Sequence, residues 1–114
     1  MITKTNAIDL LKELPKANAE SEVNHRSISN AMKWFTGYTR RLIETEALHG
    51  VKFCFLLGEK LWKEGDATVR NAVENIYVLP MGTFIEIQDS RQMKEVFNGP
   101  LRKVYHKQLI NYKS

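Results

Sequence analysis

One cysteine, three prolines and six scattered glycines leave this 114-residue chain with little punctuation and no covalent staple. Cys54 has no second thiol to pair with internally, so stability must come from apolar packing, and its place among apolar neighbours favours a structural thiol over a nucleophile. The glycines stand singly rather than grouped ahead of a helix, which excludes the phosphate-cradling loops of P-loop and Rossmann proteins. His25, His49 and His106 are far apart, and none lies three or four residues from another His or a Cys. No metal site and no cofactor are therefore expected. The carboxylate pairs Glu44 with Glu46, Glu20 with Glu22 and Glu86 with Asp89 fall in polar stretches and read as solvated surface rather than as acid–base machinery. No apolar run approaches the ~18 residues of a membrane span. Met1 to Asn6 lacks the basic-then-apolar pattern of a signal peptide, and no Asn-x-Ser/Thr acceptor occurs, so a cytoplasmic location is expected.

What the chain does contain is 43% hydrophobic residues, enough to build one helical domain over residues 1–114. At this length folding should bury about two-thirds of the unfolded surface. Val51, Cys54, Phe55, Gly58, Leu61 and Trp62 recur at the three-and-four spacing of one helix face, and Phe53 and Leu57 widen it, so a helix covered on two sides is expected. Gly58 costs roughly 1 kcal/mol of helix propensity, a cost that a close helix–helix approach would explain. Gly65 can end this helix in the left-handed conformation, and Asp66 can cap the next. There Val69, Ala72, Val73 and Ile76 face inward while Arg70, Asn71, Glu74 and Asn75 form a polar face. So short a break folds the two helices back as an αα-hairpin, the centre of the molecule.

Around it, a first helix is expected from about Asn6 to Leu14, capped by Thr5 or Asn6, with Ile8 and Leu11 inward and Pro15 as its end. Residues 16–26 are polar and show no long apolar period. A long helix follows from Ser27 or Ser29, with Ile28, Met32, Phe35, Thr39, Leu42 and Ala47 as an inner stripe flanked by Ala31, Tyr38 and Ile43. Gly37 inside it reads as a close-packing point or a kink, and Gly50 as the turn into the hairpin, with His49 at a helix C-terminus favoured by the dipole. Asp89 or Ser90 can cap a helix through Phe97 that Asn98-Gly99 stops. Pro100 suits the first turn of a last helix lined by Leu101, Val104, Tyr105, Leu109 and Tyr112.

The stretch 76–87 admits two readings. Ile76 to Leu79 and Thr83 to Ile87, parted by Pro80-Met81-Gly82, could pair as a small β-hairpin in an α+β fold. The alternative extends the helix to Leu79, breaks it at Pro80 and restarts near Thr83. The helical reading is preferred because Val69 to Ile76 keeps the helical period up to the ambiguous point. The expected fold is thus all-α, a compact bundle of about six helices around the central αα-hairpin.

Charge is unevenly placed. Residues 91–114 carry six basic side chains and one acidic one, whereas residues 1–90 carry eleven basic and twelve acidic. The entire excess of the +4 net charge therefore sits at the C-terminal end. Arg102, Lys103, His106 and Lys107 are close enough in register to offer a cationic face to nucleic acid or another polyanion, although no recognition-helix or RNA-module signature accompanies them. Elsewhere Trp34, Tyr38 and Arg41 fall at i, i+4 and i+7 with Arg40 beside them, residue types enriched in interface hot spots. Glu74 stands four residues from Arg70, the spacing of a helix-face ion pair. With Asn71 it could instead line a polar groove that binds a partner.

The run Phe35 to Ile43, followed by Cys54-Phe55-Leu56-Leu57-Gly58-Glu59-Lys60-Leu61-Trp62 and then Gly65 to Val78, resembles a family of small bacterial helical proteins known only as a domain of unknown function. Gly99-Pro100-Leu101 and Tyr105-His106-Lys107-Gln108 are similar to that family's last helix, so the likeness spans roughly residues 30–112. The resemblance implies an all-helical fold and supplies no activity. Two functions follow as expectations. The first is a non-enzymatic protein-binding module, adaptor or immunity-like, docking through Trp34, Tyr38, Arg40, Arg41, Asn71 and Glu74. The alternative is polyanion binding through Arg102, Lys103, His106 and Lys107. A homo-oligomer contact through Trp34, Trp62 or the Tyr77–Phe84 region is also open.

Overall fold

The computed structural model describes residues 1–14, 27–88 and 90–113, without the side chains of residues 111–113. Expectations for residues 15–26, Asp89 and the Tyr112 side chain lie outside them. Six helices occur among the described residues: α1 (Lys4–Lys12), α2 (Ile28–Glu44), α3 (Leu48–Glu64), α4, α5 (Arg91–Val96) and α6 (Pro100–Lys113). The fourth is continuous but changes pitch, running α-helical over Ala67–Ala72, π-helical over Val73–Val78 and α-helical again over Leu79–Gln88. The fold is an all-α bundle, and the β-hairpin reading of 76–87 is not realised.

Local chemistry sets each helix start. Thr3, not Thr5 or Asn6, caps α1: its side chain accepts from the Asn6 N–H while Asn6 returns a bond to the Thr3 backbone. Ser27, Asp66 and Ser90 cap α2, α4 and α5 by accepting from Asn30, Val69 and Met93. Gly99, at φ +102°, makes the turn into α6 that a side chain would strain.

Two other glycines act differently from expectation. Gly65 is extended (φ −75°, ψ 152°) rather than left-handed. Its need is space, because a Cβ there would collide with the Leu61 carbonyl and come within 2.9 Å of Val69 Cβ. The same backbone is clamped by Ile2, which donates to the Glu64 carbonyl at 2.6 Å and accepts from the Asp66 N–H at 2.8 Å. Gly50 lies inside α3, so the α2–α3 turn is made instead by Glu46, held at φ +58°. His49 consequently sits in the first turn of α3, the end of the dipole opposite to the one expected.

α4 is the hub and packs against all five other helices. Against α3 it forms the predicted αα-hairpin. Gly58 allows the close approach, since a Cβ there would stand 2.9 Å from Tyr77 Cε2. Tyr77 is fully buried and stacks on Phe35 of α2, ring centroids 4.4 Å apart. It therefore cannot serve a homo-oligomer contact.

Pro80 does not break α4. A proline has no N–H for the carbonyl one turn behind it. Here the Ile76 carbonyl accepts from the Thr36 hydroxyl of α2 at 2.9 Å, and the π-helical turn ends two residues before the proline. A tertiary donor thus replaces the missing local one. Thr36 shares its single proton between this carbonyl and that of Met32, 2.8 Å away.

The inner stripe of α2 is buried as expected at Ile28, Ala31, Met32, Phe35, Thr39 and Ile43. Gly37 is exposed with nothing within 4 Å of a Cβ position, so it is not a close-packing point. Of the two residues expected to give α3 a second covered side, Leu57 is half-buried and packs against the core, whereas Phe53 is 57% exposed.

Candidate functional site

The residues singled out on α2 are split by their neighbours. Trp34 and Tyr38 are half-buried with ring centroids 5.2 Å apart, and Arg41 is exposed one turn further on. Arg40 instead lies over Phe84 of α4, its guanidinium carbon 4.5 Å from the ring centroid. On the hairpin, Glu74 accepts from the Trp62 indole N–H at 2.7 Å, and Arg70 stacks over the same indole at 5.0 Å. Glu74 thus fastens α4 to α3, while Asn71 is exposed and its carbonyl accepts from Asn75. The two do not share a partner.

The outer side of α3 carries a feature that the periodicity did not show. Phe53 and Leu56, three residues apart, stand side by side in solvent. Leu56 is a ridge between two depressions. One, of about 310 Å³, is lined by Leu10, Leu14, Phe53, Leu57, Glu13 and Lys60. The other, of about 270 Å³, is lined by Phe55, Val96, Phe97, Leu101, Lys52 and Glu59. Both depressions have apolar floors with charged rims of both signs. Sequence spacing could not show it, because exposed and buried apolar positions obey the same helical period.

A different cleft, also about 310 Å³, opens between the end of α4, α5 and α6. Gly82 lets α6 press onto α4, since a Cβ there would come within 2.6 Å of Tyr105 Cε1. The Tyr105 hydroxyl donates to Glu86 Oε2 at 3.1 Å. Burial, with the Glu86 carboxylate beside it, raises the Tyr105 phenol above its ordinary range, against a lowering contact from Thr83. Lys94, Arg102 and His106 line the same space. Of the four cationic residues expected to act together, Arg102 and His106 face the cleft and are joined by a 3.4 Å bond from Arg102 Nε to His106 Nε2. Lys103 and Lys107 are exposed on α6 but are not among the cleft-lining residues.

The strongest electrostatic perturbation is in the core. Burial pushes the Cys54 thiol up to about 11, against a partial lowering by Thr39. Tyr77 is raised further by burial and by Cys54, its hydroxyl 3.1 Å from that of Thr39. Both groups stay protonated and sealed, which suits a structural role and not a nucleophilic one. Among the described residues no three His, Cys, Asp or Glu gather in an arrangement able to hold a metal ion, and no helix is long and apolar enough to cross a membrane.

A family model described as a domain of unknown function (DUF7674) matches residues 7–112. No curated protein and no solved structure matches the chain.

Proposed function

The chain belongs to the DUF7674 family, a domain of unknown function, and we propose that it is a non-enzymatic protein-binding helical module, of adaptor or immunity kind, whose docking face is the outer side of α3. The single observation that carries this reading is the exposure of Phe53 and Leu56 between two apolar depressions. Fully burying such a side chain contributes roughly 1.5–3 kcal/mol, and more than half of each is exposed here. A partner presenting apolar anchors to the two depressions would gain that burial while its polar groups met Lys52, Glu59 and Lys60 at the rim. Trp34, Tyr38 and Arg41 on α2 supply a second surface of suitable residue types.

Affinity capture from the native source tests the assignment. Leu56→Glu should lose the specifically retained protein, with the circular dichroism spectrum unchanged because the side chain is exposed. Retention undiminished in Leu56→Glu but lost in Trp34→Ala or Arg41→Ala would move the docking face to α2. Retention of no protein above a control bait would remove the module reading itself.

A further inference from the structure

We infer that the occupant of the α3 face is a second copy of this chain, the two α3 helices pairing antiparallel about a two-fold axis midway between Phe53 and Leu56. The inference rests on the reading of that face as a docking surface and names its partner. Phe53 and Leu56 are 57% and 65% exposed and stand three residues apart, the spacing of successive seam positions in paired helices. His49, four residues before Phe53, and Lys60, four after Leu56, continue the same line and are also exposed. The apolar seam is therefore two residues long, with a polar position at each end.

One register satisfies both the apolar and the charged residues. With the axis placed there, Phe53 of each copy lies against Leu56 of the other, and both seam residues leave water. Lys52 and Glu59 each precede a seam position by one residue and line the same depression, on the side of α3 toward α5 and α6. The antiparallel arrangement brings Lys52 of each copy beside Glu59 of the other, so two opposite-charge contacts form about one axis. Glu59 accepts from Lys63 at 2.8 Å, and a carboxylate has capacity for a second donor. On the opposite side of the seam Leu57 meets Gly50, which has no side chain to obstruct it.

Charge also fixes the direction. A parallel pair would bring Glu59 against Glu64 of the second copy and Lys52 against the apolar Leu57, one repulsion and one unanswered charge in place of two attractions. Self-complementarity points to a second copy over an unrelated protein. A two-fold contact requires that one surface carry both halves of each pair, and here a cation and a carboxylate seven residues apart flank the apolar centre. Beyond the seam Lys60 meets His49, which adds no apolar area, so the contact ends there. So short a seam belongs with small, transient interfaces and not with obligate ones.

Sedimentation velocity of the full chain tests the pairing from about 1 μM to about 1 mM, where small interfaces dissociate. A monomer–dimer equilibrium is expected. Leu56→Glu should weaken it at least about a hundredfold, since the axis makes each substitution count twice. Lys52→Glu and Glu59→Lys should each weaken it about tenfold by creating two like-charge contacts, whereas an equimolar mixture of the two variants should pair as the parent does. Circular dichroism checks that each variant keeps the fold. Dimers that survive Leu56→Glu, or charge variants that do not rescue each other, would overturn the inference. So would a chain that stays monomeric throughout. If Leu56→Glu then still loses a different captured protein, the α3 face remains a docking surface and only its occupant changes.

Discussion

Alanine placed at two helical glycines should change stability in opposite directions. Gly37 lies mid-helix in α2, exposed, with nothing within 4 Å of a Cβ. Gly37→Ala therefore gains the propensity difference and meets no steric cost, a stabilisation of about 1 kcal/mol. Gly82, in α4, is buried, and an added Cβ would stand 2.6 Å from Tyr105 Cε1. Tyr105 cannot easily give way: it is 3% exposed, packs edge-on against Phe97 and is tethered to Glu86 through its hydroxyl. Overpacking of this severity costs about 3 kcal/mol, against which the same 1 kcal/mol of propensity is gained, so a net loss of about 2 kcal/mol is expected. The two variants should thus differ by roughly 3 kcal/mol, and at about 3–6 °C per kcal/mol for a chain of this size the midpoints should separate by at least about 9 °C. Urea and thermal unfolding followed by circular dichroism measure both. A Gly82→Ala protein as stable as the parent would refute the close α4–α6 contact, and a destabilised Gly37→Ala would refute the open surface assigned to Gly37.

Three further outcomes follow from the core. Thr36→Val should cost about 1–2 kcal/mol by leaving the Ile76 carbonyl without its tertiary donor. The loss should shrink in a Pro80→Ala background, where a backbone N–H is restored, and equal losses in both backgrounds in a double-mutant cycle would show that the hydroxyl and the proline are not linked. Cys54 should resist a thiol reagent at pH 8 in the native protein and react at once in denaturant, because it is fully buried; rapid native labelling would contradict its place. Its thiol is raised from 9.0 to about 11 in the fold, so the stabilising effect of keeping it protonated is present below pH 9 and is lost as pH rises toward 11. Cys54→Ala should flatten that part of the alkaline stability curve, although Tyr77, raised in the same direction, retains its own share.

Much of the fold was legible because burial on a helix leaves a period. The inner stripe of α2, the α3–α4 hairpin, the Asp66 and Ser90 caps and the start of α6 at Pro100 were all readable from side-chain type and spacing. Errors came where the determining contact was remote in sequence. Gly65 looked like a left-handed terminator but is required by the crowding of Leu61 and Val69, with Ile2 clamped alongside. Pro80 looked like a break but is accommodated by a hydroxyl forty residues earlier. Glu46 adopts a positive φ in a turn for which the nearby Gly50 seemed the natural residue.

The candidate sites were less legible, for a reason that differs between them. Periodicity placed Phe53 on a covered side of α3 and gave Leu56 no place, and only the packed bundle shows that both are exposed. The C-terminal excess of positive charge was visible as composition, but Arg102 and His106 were separable from Lys103 and Lys107 only once α5 and the end of α4 had enclosed one side of α6.

The order of apolar and polar residues was by itself sufficient to determine a helical chain folded back at Gly65-Asp66, because helix formation and capping are decided within a turn or two of the backbone. Which helix became the hub, how α4 carries a proline, and which exposed side chains ended up beside one another were decided only in three dimensions. Those outcomes depend on donors, volumes and charges contributed by residues tens of positions apart, whose distances no local rule contains.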